Sequence, residues 1–140
     1  ALVKKFNGSL QEQIAALVHD ASHTAFSHVG SFFFVDSEKE MDAFQDNEHL
    51  NYLHASGLAN ILQSHGWSID SINHKGNHFN ILEQDLPDLC ADRFEYNLQG
   101  GLWEQLITEE EAAYIVDHVD YKDGIWYFTD IKAAGMLGIV

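Results

Sequence analysis

Apolar residues in this chain recur mostly three and four apart, the period of a helix packed on one face. Ser9 precedes a first such segment, 10–20, in which Ile14, Leu17 and Val18 form one stripe. Glu12 stands three residues after Ser9, the spacing of a capping box. Residues 21–28 read as the helix end and a tight connection, and the short apolar run 32–35 as another helix. The acidic, polar stretch 36–46 reads as a loop. A helix is predicted over 47–64, with Leu50, Leu53, Leu58, Ile61 and Leu62 near helical spacing and Gly66 as its stop. Residues 67–82 carry only weak periodicity. A helix over 87–99 would hold Pro87 in its first turn, and Thr108 before three glutamates marks another start. The period then changes. Residues 114–121 and 125–128 flank Lys122-Asp123-Gly124 as a β-hairpin would, and Asp130 is placed to cap a last helix over 131–137.

The expected fold class is therefore all-α with one small β-hairpin near the C-terminus. A length of 140 residues suits a single domain over 1–140, and 46% apolar with 21% charged residues reads as globular. The missing initiator Met and the apolar ending AAGMLGIV suggest a domain incomplete at both ends. A formal charge of −15 repels nucleic acid and anionic membranes, so neither is expected as a partner. No apolar run reaches the ~20 residues of a membrane span, and a cytoplasmic location is the default. Cys90 is the single cysteine, so no internal disulfide forms; its apolar setting suits a packed thiol better than a nucleophile.

The acidic field opposes an anionic substrate unless a bound cation reverses it locally. Nine histidines direct attention to spacing. His19 and Asp20 are adjacent at the end of an apolar helix, and His23 follows four residues after His19. Neighbours on a helix point roughly 100° apart, so His19 and Asp20 share no stripe, yet both can reach an ion just beyond the helix end. Imidazole with carboxylate suits a borderline or hard divalent ion. Taken alone, the same residues also read as surface groups at a helix C-terminus.

The run ALVHDASHTAFSH resembles the HD superfamily of metal-dependent phosphohydrolases, in the dGTPase-like dNTP triphosphohydrolase branch. A second segment, PDLCADRFEY, lies about seventy residues later and resembles that family's distal Asp-Arg/Lys-x-Asp-Tyr motif. The resemblance covers about residues 10–100 and implies a helical core around a divalent ion, Mn, Mg, Fe, Co, Ni or Zn. It implies His19, Asp20 and Asp92 as metal ligands. Arg93, Tyr96 and His28 would meet the substrate's phosphate, sugar or base, and His23 and His54 would move protons. Two positions depart from the pattern: no His stands in residues 1–9 as the upstream ligand, and Ala55 follows His54 where the family has Glu. Other histidines, such as His49 or His65, are open as substitutes.

The function expected is hydrolysis of a phosphate ester, a nucleotide in particular, through a metal-activated water. Two alternatives stand beside it: a nucleotide-binding or regulatory module without catalysis, and a di-iron oxygenase in which His23 and His54 bind a second iron. Symmetric assembly is common in this family, so a homo-oligomer is expected.

Overall fold

A computed structural model describes residues 1–23, 48–73 and 79–140. Among these residues the elements are helices joined by turns, plus one two-stranded antiparallel hairpin. The mainly helical fold class read from the sequence holds. The chain falls into two compact units, Leu10–His78 and a second unit formed by Ala1–Ser9 with Phe79–Val140.

In the Leu10–His78 unit, helix α2 spans Leu10–Val18; α1, Leu2–Lys5, precedes it in the other unit. The stripe on α2 differs from the one predicted. Leu17 is 83% exposed, while Glu12 and Ala15 are buried. Residues 14–18 are apolar on nearly every side, so packing, not hydropathy, selects the face. The buried positions 12 and 15 continue at helical spacing to half-buried His19. Helix α2 packs on a 3-10 turn, Asp70–Ile72, beside buried Ile69 and Ile72.

The predicted helix over 47–64 is two helices. Residues 48–55, α3, and Leu58–Ser64, α4, are separated at Gly57, whose φ of 80° is left-handed and ends the first helix. Gly66 does stop α4. Its amide donates to the Gln63 carbonyl at 3.0 Å, and that of Trp67 to Leu62 at 2.9 Å, the double closure of a Schellman motif. The expectations for 24–47 and 74–78 lie outside the described residues.

In the other unit, α5 spans Ala91–Trp103, not 87–99. Pro87 lies before the helix, inside a turn closed by the Asp88 amide on the Asp85 carbonyl. Helix α6, Glu109–Asp117, starts as predicted. The Thr108 hydroxyl accepts from the Glu111 amide at 3.2 Å, and the Glu111 carboxylate accepts from the Thr108 amide at 2.9 Å. This helix claims residues 114–117, which hydropathy alone assigns to the hairpin. The hairpin is β1, Val119–Lys122, with β2, Ile125–Phe128, in the register Val119 to Phe128 and Lys122 to Ile125. Asp123 and Gly124 both have positive φ, as a type I′ turn requires. Asp130 caps α7, Ile131–Leu137, accepting from the Lys132 amide at 2.6 Å.

Phe94, fully buried on α5, anchors this core. Its ring stacks on Trp126 of β2 at 5.9 Å between centroids, and Phe6 meets Trp126 edge-on at 4.9 Å. The Gln84 side-chain amide donates to the Asn80 carbonyl at 2.8 Å and to Gly124 at 3.2 Å, tying the hairpin tip to the segment before α5.

Candidate metal centre

The end of α2 sets the first group of candidate residues. Past Val18 the chain makes two successive tight turns, with the Ala21 amide on Val18 and the His23 amide on Asp20, each at 3.0 Å. These turns bring His19, Asp20 and His23 together. Nε2 of His19 lies 3.4 Å from one Asp20 carboxylate oxygen, and Nε2 of His23 lies 3.3 Å from the other. The Asp20 side chain is 65% exposed, so solvent reaches the carboxylate between the two rings.

The tautomer of His19 follows from its other contact. Nδ1 lies 2.9 Å from the Ala16 carbonyl, and a carbonyl only accepts, so Nδ1 carries the proton. In the neutral ring Nε2 is then a lone pair facing a carboxylate oxygen. Two lone pairs at that distance repel unless a proton or a cation lies between them. An imidazole fixed by an Nδ1–H bond to a backbone carbonyl, with Nε2 turned toward a carboxylate, is a suitable donor pair for a divalent ion. The residues present therefore fit a metal.

Sequence spacing assigns Ser22 no role and names His49 only as a substitute ligand. Ser22 lies between Asp20 and His23, and its Oγ is 2.9 Å from Nδ1 of His49, which is 2% exposed. The turn is thus tied to a buried imidazole on α3. The signal for this contact is a hydroxyl residue within the motif, but its partner is 27 residues away and no local rule selects it.

The second group lies in the other unit. Asp92 is the second residue of α5, half-buried, where the helix dipole favours an anion. Tyr96 follows one turn later and is exposed, so it is not a core aromatic. Arg93 reaches back into the preceding loop. It donates to the Glu83 carboxylate at 3.2 Å and to the carbonyls of Gln84 and Asp88. His54 is an exposed residue of α3. His28 lies outside the described residues. Cys90 is fully buried, and burial pushes its thiol above the usual range, as befits a packed group. Among the described residues no helix is long and apolar enough to cross a membrane.

Two known proteins are similar to this chain. It is 36% identical over 133 residues, 95% of its length, to the uncharacterized protein YdhJ of Bacillus subtilis, and spans 40% of that protein. It is 32% identical over 115 residues, 82% of its length, to the metal-dependent phosphohydrolase cns2 of Cordyceps militaris, and spans 32% of it. No family model matches the chain, and no solved structure does. The chain is a distant relative of a metal-dependent phosphohydrolase and spans 32% and 40% of the lengths of the two proteins it resembles.

Proposed function

We propose that this chain carries the metal-binding core of a phosphohydrolase that cleaves a phosphate ester, a nucleotide in particular. The observation that carries the reading is the cluster at the end of α2, where the Nε2 atoms of His19 and His23 both face the Asp20 carboxylate. Similarity to cns2 supports it at the level of the chemistry. The proposed ligands are His19, Asp20 and Asp92, with Asp92 assigned on its motif. A divalent ion, when bound, would supply an activated water near neutral pH and offset phosphoryl charge.

The chain's own residues do the rest. His23, whose ring nitrogen lies 3.3 Å from Asp20, is placed to pass a proton to or from solvent or substrate. His54 is the second proton carrier. Arg93 adds positive charge next to Asp92, where the overall field is acidic. Tyr96 offers an exposed ring to a sugar or base, and His28 is a further substrate contact assigned from the motif alone.

The test is phosphate release from a panel of nucleotides with Mn, Mg, Co, Ni or Zn added in turn. Activity that depends on metal and disappears in Asp20→Ala is the expected result. Full activity in Asp20→Ala would sink the mechanism. A second reading, a nucleotide-binding module without catalysis, rests on Ala55, which stands where the resembled pattern has a proton-carrying Glu. Nucleotide binding without phosphate release under every metal would favour it.

A further inference from the structure

The segment before α5 is bound to that helix in an unusual way. Cys90 precedes Ala91, and its side chain makes no capping bond. Instead the first two helical amides go to a non-local partner. The Ala91 amide donates to the Ile81 carbonyl at 2.8 Å, and the Asp92 amide to Leu82 at 3.2 Å. Amides at a helix start have no partner within the helix, so these two bonds fix where α5 begins and where Asp92 stands.

Residues 83–90 form the loop between those carbonyls and those amides. Arg93 closes it. Three donations from its guanidinium enter segment 83–88, at the Glu83 carboxylate and the Gln84 and Asp88 carbonyls. A guanidinium has five N–H donors in a rigid fork, so most of its capacity is committed inside the fold. The pair is sheltered, with the Arg93 side chain 16% exposed and that of Glu83 28%. An ion pair of this kind holds geometry better than an exposed one.

We propose that Glu83 and Arg93 are a positioning pair for Asp92, holding the loop so that the Ile81 and Leu82 carbonyls present a fixed seat for the start of α5. The proposal rests on the reading of Asp92 as a metal ligand. A ligand is only as well placed as the shell that supports it, and small displacements weaken a metal site. The role differs from a direct contact between Arg93 and a phosphate, because it is exerted on the metal before any substrate binds.

The experiment titrates Mn²⁺ into the full chain and into Glu83→Gln, Arg93→Lys and Asp92→Ala, each shown to be folded by circular dichroism. Glu83→Gln keeps the shape and removes the charge. Arg93→Lys keeps the charge and loses the fork. Both should bind Mn²⁺ about tenfold more weakly, the lower end of what loss of a supporting partner costs. Hydrogen exchange at the Ala91 and Asp92 amides should quicken in both. Wild-type Mn²⁺ affinity in both folded variants overturns the proposal, even if Arg93→Lys raises KM at saturating Mn²⁺. That pattern would assign Arg93 to substrate alone. If Asp92→Ala itself binds Mn²⁺ as the wild type does, the metal-ligand reading fails and takes this proposal with it. Weak binding by Asp92→Ala with normal binding by the other two overturns the positioning role alone.

Discussion

The turn after α2 and the start of α5 hold their carboxylates by different means. At the turn, Asp20 is 65% exposed and its neighbours are side chains, two imidazoles on its two oxygens. At α5 the backbone is fixed, with Ala91 and Phe94 buried and the first amides bonded to Ile81 and Leu82. Exposed ion pairs add little to folding, whereas buried aromatics and satisfied amides add much. The first region is therefore built to be altered by what binds it. The second is part of the core. Substitutions at the first should change metal binding and spare the fold, and loss of a buried core side chain at the second should cost stability.

Phe94→Ala is the severest test of the second half of that contrast. Loss of a fully buried ring on α5 should cost about 3–5 kcal/mol in denaturant unfolding. A cost below about 1 kcal/mol would mean that the ring does not anchor the helix. Asp20→Ala tests the first half. Its Mn²⁺ affinity should fall by at least about a hundredfold, beyond the range for supporting residues, while the metal-free unfolding midpoint stays near wild type. Ser22→Ala lies between the two, because it removes a partner from buried His49. We expect about 1–2 kcal/mol in metal-free stability, read by chemical denaturation.

Thr108→Ala should cost about 1 kcal/mol through the lost capping box on α6, without affecting metal affinity. The smallest effect is electrostatic. The Lys132 amide, and after it the Tyr114 hydroxyl, hold the half-buried Asp130 carboxyl below the usual carboxylate range. A pKa lowered by folding stabilises above the unfolded value and ceases to do so as pH falls through the folded one. The gap between wild type and Asp130→Asn in unfolding midpoint should be full above about pH 4 and shrink below it. A gap that does not change with pH would place the effect in packing, not charge.

The legible parts of the fold are those written in local chemistry. Thr108, Asp130, Gly66 and the Asp123-Gly124 pair each act on residues within a few positions, so their signals survive in one sequence. The start of α5 is hidden because its amides use the Ile81 and Leu82 carbonyls, which leave no capping residue to read. The buried face of α2 is hidden because its apolar residues nearly encircle the helix. Gly57 gives an ambiguous signal, since a lone glycine inside a periodic run also reads as a tolerated helix residue. At the candidate site the cluster of His19, Asp20 and His23 is visible as a motif. The tie from Ser22 to His49 and the grip of Arg93 on two backbone carbonyls are not, because both join residues that sequence spacing does not relate.

The bridge from Gln84 to the hairpin tip bears on how this protein can be engineered. A two-residue turn such as Asp123-Gly124 is where an epitope, a fluorophore peptide or a new chain end is ordinarily spliced. Here the Gly124 carbonyl accepts from Gln84, whose amide also binds Asn80, so a splice would pull on the strap that precedes α5. The exposed corner at 104–106 is no freer, because its three amides donate to the Gly100, Leu102 and Gly101 carbonyls and close the end of α5.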